Sequence, residues 1–246
     1  MGSEITISTS QGDCSAYLSL PEKSGAYPAL ILIEEIWGVT AHIKSVCDRY
    51  AAEGFVVVSP ELLPEDSLKQ LTPEMNEALF DPERRNEVQP KLRAATQPVF
   101  QPEFAAGAIA KLKACVDYLL VDKQVNGNVG VIGFCFGGSY SFHLAINDPR
   151  IKACVPFYGQ PPQPMDSVAS ITCPVLNFNG AKDENIMKVL PELEAAMKQH
   201  GKDYTSVVYP DAGHAFFNDT NKRAYRPEDA KDAWEKSLTF LKKNLA

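Results

Sequence analysis

The stretch Val129–Tyr140, VGVIGFCFGGSY, decides how the rest of the chain is read. It opens as a short apolar strand, turns through Gly133-Phe134-Cys135-Phe136-Gly137-Gly138, and runs on as a helix. A cysteine therefore sits at a strand-to-helix turn, with a glycine two residues before it and another two residues after. A turn this sharp crowds those flanking positions, so side chains there clash, and the residue at the apex is itself strained. The thiol projects from a sheet edge at a helix N-terminus, where partial positive charge favours a thiolate. This is the local context of a nucleophile elbow, with Cys in place of Ser. A buried cysteine in an ordinary strand–turn–helix carries the same letters, so the surrounding chain has to separate the two readings.

Outward from this turn, strand-like runs recur: ITIS near residue 5, AYLSL at 16–20, ALILI at 29–33 and FVVVS at 55–59 before it. VGVIG at 129–133, KACVPFY at 152–158, VLNFN at 175–179 and TSVVYP at 205–210 complete the set. The middle runs are continuously apolar, the signature of strands covered on both faces in a parallel sheet. Helical patterns lie between them. Residues 41–54 end at Gly54, a C′ candidate. Residues 103–120 space their apolar positions by threes and fours. The last helix starts at Pro227 near N1 with acids in its first turn and Lys242 and Lys243 in its last. It places Ala230, Trp234, Leu238 and Leu241 on one stripe. The alternation predicts a mostly parallel, doubly wound α/β sheet of about eight strands with helices on both faces, as a single domain over 1–246. Residues 60–102 interrupt the rhythm. They are rich in proline and charge and show no strand, so they are either a cap over a site or an ordinary helical insertion.

Of the 246 residues, 45% are hydrophobic and 22% charged, and the formal net charge is −7. That balance excludes the clustered basic surface of a nucleic-acid or membrane-surface binder. The six cysteines form no CxxC pair and match neither a zinc site nor a disulfide framework, so the five besides Cys135 read as reduced, buried thiols. No apolar run reaches the length of a membrane span, and no signal peptide is recognisable. The start MGSEIT matches a myristoylation pattern formally, but Glu4 and the missing basic patch argue against it. A cytoplasmic protein is expected, monomeric or weakly dimeric, with no nucleic-acid or membrane partner.

Chain order supports the elbow. An α/β hydrolase places nucleophile, acid and His in that sequence. After the strand PVLNFNG, the segment AKDENI offers Asp183, and after TSVVYP, DAGHAFF offers His214. Both fall at the strand ends where open α/β sheets bind ligands. His143 lies eight residues beyond Cys135 on the same helix, about 12 Å along its axis, and does not reach the thiol. It is expected packed or partly exposed. His42 and His200 are expected at the surface or as capping residues. Asp211 is a local alternative to Asp183 and reads better as a turn residue. A third signal is LIEEIWGV at 32–39, where Glu34 and Glu35 interrupt the end of an apolar strand at a cost unless solvated or paired. Successive strand residues face opposite ways, so only one of the two points into the site.

Together EEIWGV, GFCFGG, the Asp of GAKDENI and DAGHAFFND resemble the dienelactone hydrolase (carboxymethylenebutenolidase) family of the α/β-hydrolase superfamily, in order from about residue 4 to 243. The resemblance implies Cys135 as nucleophile, Asp183 and His214 as its partners, and Glu35 as the inward carboxylate, whose side chain reorganises on substrate binding and helps the thiol ionise. It implies an oxyanion hole from the backbone N–H groups of Ile36 and Phe136, a small lactone or ester as substrate, and no metal or organic cofactor. Two arginines grip the substrate carboxylate in the family. Arg84 or Arg85 matches one of them, or the two form a solvated helix pair. The second falls four residues after the His, where this chain has Asn218. Trp37 is a further candidate for the substrate wall, and Tyr158 reads either as wall or as core aromatic. Two other readings stay open: a thiol redox sensor acting through Cys135, and a non-catalytic scaffold of the same fold. The missing resolving cysteine counts against the first and the intact Cys–Asp–His order against the second.

Overall fold

In the computed structural model, which describes residues 2–246, the eight strand-like runs all form strands of one sheet. They are β1 (Ser3–Thr9), β2 (Gly12–Ser19), β3 (Tyr27–Ile33), β4 (Val56–Pro60), β5 (Val125–Phe134), β6 (Ile151–Phe157), β7 (Val175–Gly180) and β8 (Tyr204–Tyr209). Their order across the sheet is β1-β2-β4-β3-β5-β6-β7-β8. β2 pairs antiparallel with β1 and β4, and the other pairings are parallel. The helices are α1 (Ala41–Ala52), α2 (Glu65–Leu68), α3 (Pro73–Leu79), α4 (Arg85–Thr96), α5 (Pro102–Val121), α6 (Phe136–Asn147), α7 (Glu184–Gln199) and α8 (Pro227–Leu245).

Alternation along the strands sorts the core into two layers. On β3, Ile31 and Ile33 pack with Leu112 and Leu119 of α5, Leu144 of α6 and Leu193 of α7. Leu30 and Leu32, pointing the other way, pack with Val46 and Tyr50 of α1 and Leu241 of α8. Each such side chain, wholly withdrawn from water, contributes about 1.5–3 kcal/mol. α1 is capped by Thr40, whose side chain accepts from the Ile43 N–H, and it stops at Gly54, which takes φ +91°. α8 has Pro227 in its first turn as expected, but its buried stripe runs through Ala230, Ala233, Ser237 and Leu241, with Trp234 and Leu238 on the rim. Ser237 is tolerated inside because its hydroxyl lies 2.8 Å from the Tyr50 hydroxyl. No helix among the described residues is long and apolar enough to cross a membrane.

Two features of this frame position the site. From β3 the chain steps to β4 on one side, and β5 then lies on β3's other side, with Ile33 paired to Gly133. The strand order reverses there, and the crevice beyond those two strand ends is where an open α/β sheet binds ligands. The segment 60–102 folds as α2, α3, α4 and a 3-10 turn at Gln97–Phe100. Val88, Ala95 and Val99 face inward while most of α4 is exposed. From this segment, Leu79, Phe80, Leu92 and Val99 line the cavity that contains Cys135.

Candidate active site

Cys135 directly follows β5 and caps α6 with φ +56° and ψ −111°, a left-handed conformation that costs a non-glycine residue. The flanking glycines are forced by contact. A Cβ on Gly133 would sit 2.1 Å from the Gly137 carbonyl oxygen, and one on Gly137 would sit 2.2 Å from the Ile33 oxygen. The apex is tied on both sides: Cys135 N–H donates to the Phe157 oxygen at 3.0 Å and Gly137 N–H to the Glu34 oxygen at 3.0 Å. Phe136 is the first residue of α6, so its N–H has no partner within the helix. Ile36 sits in the tight turn after β3, where Gly38 N–H donates to the Glu35 oxygen at 3.0 Å. Ile36, Phe136 and Cys135 line one cavity. Among the six cysteines, all unpaired, Cys135 is the one not fully buried.

Asp183 and His214 meet beside it. Asp183 is the N-cap of α7: its Oδ1 accepts from the Ile186 N–H at 3.4 Å, which leaves Oδ2 turned to His214 Nδ1 at 2.5 Å. The cap thus doubles as an aiming device for the carboxylate. With Nδ1–H donating to Asp183, Nε2 is the nitrogen left toward the thiol. Enclosure works to lower the basicity of His214, but the negative groups Cys135 and Asp183 outweigh it and hold the imidazole well above its ordinary range. Asp211 is exposed and paired with Lys182 at 3.0 Å, and the carboxylate on His214 Nδ1 is that of Asp183.

The two glutamates at the end of β3 part company. Glu34 is fully buried, and its Oε1 accepts from Leu62 N–H at 2.8 Å and Leu63 N–H at 3.0 Å, while Oε2 has no partner. Burial, only partly offset by these bonds, pushes its carboxyl up to about 8. Glu35 faces the cavity. Its Oε1 accepts from the Tyr158 hydroxyl at 3.4 Å and its Oε2 from Asn218 Nδ2 at 2.6 Å. Burial raises this carboxyl too, against the pull of His42, Asn218, His214 and Tyr158.

The remaining candidates are spread out. Trp37 and Tyr158 line the cavity with Cys135, and Tyr158 takes φ +38° with its ring centroid 5.0 Å from that of His214. Asn218, expected against the substrate, is only 3% exposed and turned onto Glu35; a short amide in the His loop is spent satisfying a buried carboxylate. Arg84 is the exposed N-cap of α4 and lines neither cavity described here, whereas Arg85 lines a second cavity beyond His214. His143 is half-buried in the wall near Tyr140. His200 caps α7 as expected. His42 is a correction: it is 3% exposed, edge-on to Phe134 and Phe217, with Nδ1 2.9 Å from Asp219 and Nε2 buried without a partner. Its position at the start of an amphipathic helix suggests the surface; the His loop folding back over α1 is what buries it. Nothing in the spacing of Asn218-Asp219 signals that these neighbours serve Glu35 and His42.

A largely parallel sheet with its first two strands antiparallel, helices on both faces and a crevice at the β3/β5 switch defines an α/β-hydrolase fold. Within that class the chain belongs to the dienelactone hydrolase family, whose family model matches residues 14–245. It is 32% identical over 261 residues to the "Putative carboxymethylenebutenolidase" of Saccharolobus solfataricus, covering 99% of both chains. It is 32% identical to the "Probable 2-oxo-3-(5-oxofuran-2-ylidene)propanoate lactonase" of a Bradyrhizobium species, covering 98% of this chain and 94% of the relative. The crystal structure of a "Putative Dienelactone Hydrolase" from Klebsiella pneumoniae superposes with a TM-score of 0.82 at 27% identity, covering 99% and 98% of the two chains. The protein is a hydrolase of ester or lactone bonds.

Proposed function

We propose that this hydrolase works through a cysteine nucleophile and a thioester intermediate, opening small lactones or esters. The observation that carries the reading is Cys135 held at φ +56° in one cavity with His214, whose other nitrogen is fixed by Asp183. The names of the relatives, a butenolidase and a lactonase, favour a lactone carbonyl as the target.

The steps follow from these groups. The Cys135 thiolate, stabilised by the N-terminus of α6 and by the imidazolium of His214, attacks the carbonyl carbon; the S–C bond forms and the π pair moves to oxygen. The N–H groups of Ile36 and Phe136 hold that oxyanion. Collapse breaks the C–O bond, and His214 Nε2–H gives its proton to the departing oxygen, leaving a thioester on Cys135. In a lactone that oxygen remains tethered through the opened ring. Water then attacks the thioester, His214 Nε2 takes its proton, and the second collapse returns the thiolate and releases the acid. Asp183 keeps the proton on Nδ1, so that Nε2 alone exchanges with the reactants. The other five cysteines are buried and none lines the cavity with Cys135, which leaves a redox-sensor reading without a resolving thiol.

The test is to trap the intermediate. Protein mixed with p-nitrophenyl acetate at acidic pH and quenched should carry one acetyl group on Cys135, located by peptide mass spectrometry, after a burst of p-nitrophenol. The Cys135→Ala variant should show neither burst nor adduct. Turnover retained in that variant ends the proposal.

A further inference from the structure

The cavity of about 570 Å³ that holds Cys135 continues along α6. Phe136, Ser139, Tyr140 and His143 line it, at the i, i+3, i+4 and i+7 spacing of one helix face, and Leu92 and Val99 line it from the roof. It is a groove that leads away from the thiol. Tyr140 stands five residues beyond Cys135 and His143 eight, about 7.5 and 12 Å along the helix axis. The walls on the way are aromatic. The rings of Phe136 and Tyr140 pack at 4.6 Å between centroids, and Trp37 faces the same space. Such faces suit a flat apolar body.

The far end of the groove carries polar groups that are not in use. Nearer the thiol, the Ser139 hydroxyl accepts from the Gln160 N–H at 2.8 Å and donates to the Cys135 carbonyl oxygen at 3.4 Å. On the roof, the Thr96 hydroxyl donates to the Leu92 carbonyl oxygen at 2.8 Å. The Tyr140 and His143 rings lie 5.4 Å apart, and neither makes a side-chain hydrogen bond among the described residues. Burial alone pushes the Tyr140 phenol up to about 12 and holds the His143 imidazole below its ordinary range; no charged group acts on either. Near neutral pH both are uncharged. The phenol can donate or accept, and the imidazole offers one donor and one acceptor nitrogen. Arg93 lines the same cavity but is exposed. Enclosed polar groups without partners are satisfied when a ligand brings the matching group, which is how an apolar pocket fixes the orientation of what it binds.

The acyl group stays bonded to the Cys135 sulfur after the alcohol has gone, so the acyl half of a substrate is the one that must share this groove. Resting on the thioester reading, we propose that Tyr140 and His143 form an uncharged hydrogen-bonding seat at the far end of the acyl groove. The substrate class is then an ester or lactone whose acyl half has a flat apolar body and ends in a hydroxyl or carbonyl about 7–12 Å from the reacting carbon.

The experiment varies one group at that far end. kcat/KM is measured for p-nitrophenyl 3-phenylpropionate and for its 4-hydroxy and 4-carboxy derivatives on the phenyl ring, with acyl adducts on Cys135 followed by mass spectrometry. The 4-hydroxy ester should exceed the plain ester about three- to tenfold, the worth of one hydrogen bond, and the gain should lie in KM. The 4-carboxy ester should fall below the plain one, because its charge loses water against aromatic walls and meets only uncharged partners. The ratio of hydroxy to plain ester should drop toward one in Tyr140→Phe or in His143→Leu, and His143→Gln, which keeps a donor and an acceptor, should preserve part of it. Taking the ratio within each variant removes any general loss of activity. Equal rates for the hydroxy and plain esters, a ratio unchanged in both Tyr140→Phe and His143→Leu, or a 4-carboxy ester that is the best of the three each overturn the seat while Cys135 is still acylated. If turnover proceeds with no ester leaving an adduct on Cys135, the thioester reading itself falls and takes this inference with it.

Discussion

On the floor of the cleft every chemical group hangs from a strand end and is fixed by a bond of its own. The Cys135 N–H is held by Phe157, Asp183 caps α7, His214 is held by Asp183, and Glu35 by Asn218 and Tyr158. The roof is tied down at few places: Leu62 and Leu63 on Glu34, Asn76 on Asn221, and Asp81 on Arg223. Its helices are short, α4 contains Pro90, and Arg84 caps α4 without any side-chain bond. The floor is over-determined because it must hold reacting atoms to a fraction of an ångström. The roof has only to exclude water and present a surface, and a few points of attachment suffice. Substitutions in the floor should therefore be read in rate, and those in the roof in stability or specificity.

The largest effects belong to the floor. His214→Ala should lower kcat by about 10⁴-fold, since nucleophile and base act as a unit. Asp183→Asn should cost about 10²- to 10⁴-fold, because an amide in that position no longer holds the proton on Nδ1. Both variants should unfold close to wild type in urea, and pre-steady-state rates separate loss of acylation from loss of deacylation. If Asp211→Asn proves as damaging as Asp183→Asn, the geometry at His214 has been misread.

Glu34 joins the two regions, and its test is one of stability against pH. Unfolded, it loses its proton near 4.5; folded, it keeps it to about 8. Between those values the folded chain binds one more proton than the unfolded chain, so stability falls as pH rises, and it levels off above about 8. Below about 4.5 both states are protonated and the contribution is constant. The span is on the order of a few kcal/mol. Glu34→Gln keeps an oxygen for the Leu62 and Leu63 N–H groups and removes the titration. Urea unfolding at pH 5, 7 and 9 should show the wild type losing stability relative to the variant as pH rises. Parallel pH curves for the two proteins would mean that the buried carboxyl does not bind the roof in its neutral form.

Asn218 should matter less and differently. Asn218→Ala leaves Glu35 Oε2 buried without a donor, a penalty of about 1–3 kcal/mol. The expected readout is a lower urea midpoint with an unchanged m-value. A change in KM for anionic substrates with no loss of stability would return Asn218 to the substrate wall and remove it from the support of Glu35.

The same division governs what could be read from the sequence. The middle strands were legible because parallel strands buried on both faces are continuous apolar runs, and the elbow because crowding admits only glycine at 133 and 137. Asp183 and His214 could be nominated from their places after β7 and β8. Contacts made across the chain were not legible. Asn218 faces Glu35 across 183 residues, and His42 faces Asp219 across 177, with no periodicity or spacing to announce either pair. The roof was ambiguous for a related reason: its short, proline-interrupted helices have weak periodicity.

The smallest expected effect is at Arg84. It is exposed, it makes no capping bond, and it does not line the cavity that contains Cys135, while its neighbour Arg85 lines the cavity beyond His214. An exposed arginine with no fixed partner contributes little, so Arg84→Ala should change stability by no more than about 0.5 kcal/mol. Its kcat/KM for neutral and anionic esters should stay within about twofold of wild type. Arg85→Ala, one residue on, should lower kcat/KM for an ester that carries a carboxylate and leave the neutral one alone. Adjacent residues at the start of a helix point about 100° apart, which is why one can meet the ligand and the other cannot. Salt makes the comparison stricter: the Arg85 effect should shrink as ionic strength rises, and the Arg84 variant should track wild type throughout. A tenfold, charge-selective loss in Arg84→Ala would show that α4 swings over the cleft during turnover, and that the roof takes part in binding beyond enclosing it.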